Sequence, residues 1–309
     1  MALELRHLRY LLAVAEHANF TRAAEALHVS QPTLSQQVKQ LERALKVQLL
    51  DRTGRTVRLT DAGRAYAHYA RSALRDLDAA ERAVLDVRDL TRGTLRLATT
   101  PTFTAYLVGP LAAAYHTRYP GISLILRELP QDRMEAALLA DELDLGIAFS
   151  GPHPPGVTGT ALFTETLGLV VGPAHPQAGR TAPLPIRSLR DHRLALLSAD
   201  FATRLHIDTH FGAHGVQPRI AVEANSITAL TELVRRTTLA TVLPDAITRE
   251  QPGLRPVGLS PALPARTVTL LRRETAYRSA ASDAFTALAR QWGRDHEEDA
   301  GQRRCRGYR

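Results

Sequence analysis

Cysteine is almost absent: the 309 residues contain one, Cys305, in the basic ending RRCRGYR. A single thiol can neither close a disulfide within the chain nor build a cysteine metal site, which excludes a disulfide-stapled framework. Long apolar runs are missing too. No stretch of ~18 apolar residues occurs, so no membrane-spanning helix is expected. The opening MALELRHLRYLL lacks the uninterrupted apolar core of a signal peptide, and a cytoplasmic location is expected. The signatures of catalysis are equally scarce. There is no G-x-S-x-G elbow, no phosphate loop, no G-x-G-x-x-G after a strand and no H-E-x-x-H.

Two constellations invite a catalytic or metal reading. HIDTHFGAH places His206, His210 and His214 at i, i+4 and i+8, with Asp208 between them. A third histidine two turns away is too far for one tetrahedral site, and Gly212 and Gly215 end the helix, so a solvated helix face is the better reading. Asp141, Glu142 and Asp144 cluster in ADELDLGIAF, which reads as a turn into a strand rather than an acid–base pair. No metal, no cofactor and no enzymatic activity are expected.

What is present is positive charge, unevenly placed. The apolar fraction of 44% and charged fraction of 23% are those of an ordinary soluble protein with room for two or three domains. The net charge is +8, and residues 1–58 hold nine Lys/Arg against five Asp/Glu, so half the surplus sits in the first fifth of the chain. Such a surplus points to nucleic acid or another polyanion.

That first segment has a pattern. Leu8, Leu11, Leu12 and Ala15 form an apolar stripe on a first helix. Thr21 opens a second, whose Ala23, Ala24 and Ala26 permit close approach. Ser30 is a good N-cap for a third, and Pro32 is tolerated in its first turn. Leu34, Val38, Leu41 and Leu45 form the buried side of this third helix. Gln31, Pro32, Thr33, Ser35, Gln36 and Lys39 are left on its N-terminal end and outer side. Two helices joined by a tight turn, the second presenting amides and hydroxyls with almost no carboxylates, make a helix-turn-helix. Gln pairs bidentately with adenine, Ser and Thr serve as donor or acceptor, and Lys reaches guanine or phosphate. In LLDRTGRTVRL a Thr-Gly turn joins two β-prone runs, a wing whose Arg52 and Arg55 are expected on the DNA backbone.

The segments FTRAAEALHVSQPTLSQQVKQLERAL and DRTGRTVRLTDAG resemble the N-terminal signature of LysR-type transcriptional regulators, and the likeness continues through the chain. Lys46 and Leu50 stand where that family usually has Gly and Phe. The first departure costs about 1 kcal/mol at a helix C-terminus that prefers glycine, and the second trims a core contact. LTRGTLRLATTPTFTAYLVGPL, DELDLGIAF, LLSADFATR and EANSITALTELVRRT are similar to cyanate-responsive members of the family, which implies cyanate as effector.

From Thr60, a plausible N-cap, to about Leu90 there is no proline. Tyr66, Ala70, Ala73, Leu77, Ala80, Val84 and Val87 repeat at alternating spacings of 4 and 3. That is a heptad seam, which predicts a long helix pairing with a second copy. A dimer suits the chemistry, because two heads read an interrupted inverted repeat. The resemblance implies a tetramer, activation of an adjacent operon, repression of the chain's own gene, and RNA polymerase as a further partner.

Beyond Thr91-Arg92-Gly93, strands and helices alternate as βαβαβ, twice, which predicts parallel sheets covered on both faces. The expected fold class is thus α/β with an all-α N-terminal part. It comprises a winged helix-turn-helix at 1–59, a linker helix at 60–92 and a two-lobed periplasmic-binding-protein-like effector domain at 93–300. Lobe I takes about 93–163 and 267–300, lobe II about 164–266, and the basic tail 301–309 is expected to be disordered. Ligands in such folds lie beyond strand C-termini, against helix N-termini. This selects Thr99, Thr100, Thr102, Phe149, Ser198, Phe201, Thr203 and Ser226 as effector-binding candidates. Hydroxyls dominate, with Asp200 and Arg204 the nearby charges and no paired Arg, which suits a small anion better than a large carboxylate. The rival readings are the same regulator with another effector, an aromatic acid or amino acid, and, from other classes, a small-molecule enzyme or solute-binding protein.

Overall fold

The computed structural model describes residues 4–54, 56–86 and 90–306, and the chain divides into two compact units, the second beginning at Asp86. The first is built from helices α1 (Leu5–His17), α2 (Phe20–Ala26) and α3 (Gln31–Leu45), a two-stranded antiparallel wing of β1 (Leu50–Asp51) and β2 (Arg58–Leu59), and the long α4 (Asp61–Asp86). Its core joins Leu11 and Val14 of α1, Ala23 and Ala24 of α2, and Leu34, Val38 and Leu41 of α3 to Leu49 and Leu50 beside the wing. Leu45, expected on the buried side, is exposed.

Local chemistry fixes the boundaries. Helix α2 starts at Phe20, one residue before the expected opening, because the Asn19 side chain accepts from the amides of Thr21 and Arg22 at 2.8 and 3.1 Å. Helix α3 is capped by Ser30, whose Oγ accepts from the Thr33 amide at 3.3 Å. It ends at Lys46, which adopts the left-handed conformation with φ 54° and so meets the strain anticipated for a non-glycine there. Thr60 caps α4, its Oγ1 accepting from the Gly63 amide at 3.0 Å. Gly63 admits no side chain, since a Cβ would lie 2.0 Å from the Leu49 carbonyl oxygen.

Over its 26 residues α4 spans about 39 Å. Tyr66 and Ala70 on the heptad seam turn towards the head, whereas Ala73, Leu77 and Ala80 are exposed. The side chain of Val84, and Val87 altogether, lie outside the described residues.

The second unit has two sheets. Lobe I carries β3 (Gly93–Thr99), α5 (Pro101–Thr104), α6 (Val108–Arg118), β4 (Ile122–Glu128), α7 (Gln131–Leu139), β5 (Leu145–Phe149) and β6 (Val157–Glu165). Lobe II follows with β7 (Leu167–Val171), β8 (Leu184–Pro185), β9 (Arg193–Leu197), α8 (Ala202–Ala213), β10 (Arg219–Ala224), α9 (Ile227–Arg236), β11 (Ala240–Pro244), α10 (Asp245–Glu250), β12 (Arg255–Val257) and β13 (Leu259–Ser260). The chain then returns to lobe I with β14 (Arg266–Arg273) and α11 (Ala280–Arg306). The sheet orders are β4-β3-β5-β14-β6 and β10-β9-β11-β7-β12.

The expected fold class holds, with one correction: both sheets are mixed. In lobe I β3 is parallel to β4 and β5, but β14 is antiparallel to β5 and β6. In lobe II β7 is antiparallel to β11 and β12. Strand β6 falls in a stretch not read as a strand, because VTGTALFTE mixes Gly and Thr with its apolar residues and alternation is weak. The chain passes between the two sheets at Thr166 and again just before Arg266. Helix α11 continues through Arg306, across most of the tail expected to be disordered.

Tyr115 of α6 is fully buried, stacks edge-on against Phe285 of α11 with ring centroids 5.4 Å apart, and donates its hydroxyl to the Ala281 carbonyl at 2.9 Å. No described helix is long and apolar enough to cross a membrane.

Relief of the Lys46 strain should be measurable. Lys46→Gly is expected to stabilise the head by about 1 kcal/mol, because a left-handed L-residue costs that much over glycine. Urea unfolding followed by far-ultraviolet dichroism checks it; an unchanged midpoint would mean that the Lys46 strain is offset in the native head.

Candidate DNA-reading face and ligand cleft

In the head, Leu34, Val38 and Leu41 anchor one side of α3, and the opposite side emerges as read from the sequence. Gln31, Pro32, Thr33, Gln36 and Lys39 are exposed and Ser35 is half-buried. The Thr33 hydroxyl lies 2.7 Å from Ser30 Oγ, so part of its capacity is spent on the cap. The α3 face from Gln31 to Lys39 holds no carboxylate, and it offers a groove lined with acceptors and donors a matching neutral surface and one ammonium.

Arg52 behaves otherwise. Its Nη2 donates to Glu42 Oε2 at 2.7 Å, and its guanidinium lies 5.3 Å from the Phe20 ring centroid. Glu42 Oε1 meanwhile accepts from the amides of Leu49 and Leu50 at 2.9 and 3.1 Å. One carboxylate of α3 therefore ties down the first strand of the wing, and Arg52 is the cation that balances it. Arg55 lies outside the described residues.

In the second unit a cleft of about 230 Å³ is lined by Thr100, Pro101 and Thr102 around the start of α5, Pro130, Gln131 and Asp132 at α7, and Ala199, Asp200, Phe201, Ala202 and Leu205 at α8. Helices α7 and α8 begin here without side-chain caps, their N-cap positions being Pro130 and Phe201. Their first amides therefore have no capping side-chain oxygen, the arrangement by which helix starts hold anions. The Thr100 hydroxyl is buried with no hydrogen-bond partner.

Of the eight effector candidates, Thr100, Thr102 and Phe201 line the cleft. Thr99 is buried behind it and donates to the Thr100 carbonyl at 3.2 Å. Thr203 is fully buried, its Oγ1 2.9 Å from that of Thr102. Phe149 is buried under a guanidinium, that of Arg266, 3.6 Å from its ring centroid. Ser198 donates to the lining residue Asp200 at 2.5 Å, and Ser226 caps α9 by accepting from the Ala229 amide at 3.3 Å; neither lines the cleft itself.

Sequence reasoning missed Arg266. It donates from Nε to Glu165 Oε2 at 2.5 Å and from Nη2 to Thr203 Oγ1 at 2.9 Å. The Tyr106 hydroxyl donates to the other Glu165 oxygen. Burial, the largest influence, holds the Glu165 carboxyl above its ordinary value, against the downward pull of the Arg266 charge and the two hydrogen bonds. Arg266 has no local signature: its partners lie 101 and 63 positions away.

The tempting constellations resolve into structure. Asp144 takes the Arg96 guanidinium at 2.6 Å, and the Asp141 carbonyl accepts from the same group at 2.6 Å. The α8 histidines do not face open solvent as expected. His206 Nε2 lies 2.8 Å from the Pro264 carbonyl, His210 is buried, and His214 Nδ1 meets the His210 carbonyl at 2.9 Å. No cluster able to hold a metal ion occurs among the described residues.

Residues 5–64 match the family model "Bacterial regulatory helix-turn-helix protein, lysR family", and residues 88–294 match "LysR substrate binding domain". The chain is similar to the RuBisCO operon transcriptional regulator of Allochromatium vinosum, 32% identical over 235 residues, covering 76% of this chain and 77% of that protein. It is also similar to the DNA-binding transcriptional dual regulator OxyR of Escherichia coli, 31% identical over 226 residues and covering 70% and 74%. Among solved structures, full-length CbnR complexed with target DNA superposes with a TM-score of 0.63 at 26% identity, covering 94% of this chain and 99% of that one. A full-length OxyR of Pseudomonas aeruginosa gives 0.69 at 26%, covering 94% of each.

Two expectations follow from the geometry. Glu42→Ala should destabilise the head by about 1–3 kcal/mol, since it orphans two amides and a guanidinium; chemical unfolding measures it, and a loss below about 0.5 kcal/mol would show that water replaces the carboxylate. Burial also lowers the pKa of His175, His206 and His210. The unfolded chain then binds more protons, so stability is full above the ordinary histidine value of 6.5 and is lost as pH falls below it. Melting curves between pH 8 and 5 should show that decline, and His210→Phe should flatten it.

Proposed function

This chain belongs to the LysR family of DNA-binding transcription regulators, and from that premise we propose that it is an oligomeric switch governed by a small anion bound in the cleft between its two lobes. The observation carrying the DNA half is the exposed α3 face from Gln31 to Lys39, free of carboxylates on a helix whose other side is locked into the core. Gln31, Pro32, Thr33, Ser35, Gln36 and Lys39 enter the major groove. Arg52, bound to Glu42, holds the wing and lends its remaining donors to phosphate, and Arg55 joins it on the backbone. The uncovered seam of Ala73, Leu77 and Ala80 pairs with a second copy, so that two heads read an inverted repeat; two such dimers form the tetramer, and RNA polymerase is the target of activation.

Cyanate is the first effector to test, supported by the hydroxyls of Thr100 and Thr102 and the uncapped starts of α7 and α8. A cleft of about 230 Å³ also has room for more than a three-atom ion, which favours a small organic acid as the second reading. A peroxide response through an intrachain disulfide is excluded, because the chain has one cysteine. Ligand binding acts by favouring one degree of lobe closure over another, and so requires different affinity for the two states.

Footprinting on the DNA beside the chain's own gene, at two salt concentrations with and without cyanate, tests both halves. Expected is a protected inverted repeat that weakens with salt and changes extent with the effector; protection indifferent to cyanate discards that ion alone, and none at low salt discards the reading face. Gln36→Ala should cut discrimination between operator and random DNA by about 10- to 100-fold. Lys39→Ala should instead weaken both and reduce the salt slope by about one. Gln36→Ala with an unchanged ratio would remove that residue from base reading.

A further inference from the structure

Behind the cleft lies a buried cation that is not part of its lining. Arg266 opens β14 and Glu165 closes β6; they are direct partners in the antiparallel register, and both are almost wholly buried. They also flank the two places where the chain passes between lobes. From Arg266 a hydrogen-bonded path of two steps leads to the cleft: Nη2 donates to Thr203 Oγ1 at 2.9 Å, and Thr203 meets Thr102 Oγ1 at 2.9 Å. Thr102 belongs to lobe I and lines the cleft; Thr203 belongs to lobe II and is fully buried.

A hydroxyl has one proton and two acceptor sites, and a guanidinium only donates. Thr203 therefore accepts from Arg266. The cation pulls electron density from that oxygen and makes Thr203 the better donor of the pair, so its proton goes to Thr102. The Thr102 proton is then left for whatever occupies the cleft, beside the unpartnered hydroxyl of Thr100. The carboxylates on the lining, Asp132 and Asp200, are exposed and hydrated, whereas the guanidinium is not, and buried charge is screened far less.

We propose that Arg266 is the specificity-determining charge of the cleft, a positioning residue that acts through Thr203 and Thr102 to select an anionic oxygen acceptor over a neutral molecule of the same shape. Glu165 sets the strength of that selection by neutralising part of the charge. This rests on the cleft being the effector site, and it adds what that reading lacked: a cation serving a pocket whose lining contains none.

Acetate and acetamide, nearly identical in shape and different in charge, are titrated into the full-length protein by calorimetry. The intact chain should prefer acetate by about tenfold or more, the margin of a charge-assisted over a neutral hydrogen bond. Thr203→Val should bring the ratio near one, and Thr203→Ser should restore it. Glu165→Gln should raise acetate affinity several-fold and leave acetamide unchanged. A merely structural Thr203 would weaken both probes together, so a ratio unmoved by Thr203→Val overturns the proposal while the cleft reading stands. If neither probe binds the intact chain at about 100 mM, the cleft reading fails and this inference with it.

Discussion

The second unit depends on how its chain passes twice between two lobes. It leaves lobe I after Glu165 and returns at Arg266, and these residues pair across adjacent strands. The double crossing makes the sheets mixed: β14 arrives from the far lobe and must run against β5 and β6. It also places there an ion pair whose two side chains are almost wholly buried. Such a pair is poor evidence of stability, because desolvation offsets much of the attraction, but losing one partner strands the other. The crossings are thus tied by charge and directional hydrogen bonds, beside an apolar cluster that draws side chains from both lobes.

That division of labour suits a sensor. Leu97, Ile147 and Phe149 of lobe I, and Leu197, Leu230 and Leu243 of lobe II, belong to one continuous buried cluster, and tight packing resists gradual deformation. Thr102, Thr203, Arg266, Glu165 and Tyr106 join the lobes through hydrogen bonds, which have defined geometry and break outright.

The head solves a different problem, holding a neutral hydrogen-bonding face rigid while its surroundings are basic. Ser30 fixes where α3 begins, Leu34, Val38 and Leu41 fix its rotation, and Glu42 fixes the wing through two amides and Arg52. Lys46 closes α3 in a left-handed conformation that its side chain disfavours, and its amide reaches back to the Arg43 carbonyl.

Much of this was legible in the chain. Ser30, the 4-3-4 spacing of Leu34, Val38 and Leu41, Thr60 before α4 and the β-α alternation beyond Gly93 are local signals, since helix caps and periodicity act over a few residues. They determined the winged head, the long helix, the two-lobed class and three residues of the cleft: Thr100, Thr102 and Phe201. Only the tertiary structure decided the antiparallel strands, the burial of Thr203 behind Thr102, the capture of Arg52 by Glu42 and the place of Arg266. Glu42 and Arg52 are ten positions apart and meet only once the wing is folded against α3; the others depend on groups brought together from distant parts of a unit, some of them 101 positions apart. No short window of sequence encodes such a meeting, because the energy that creates it appears only when both strands are already in register.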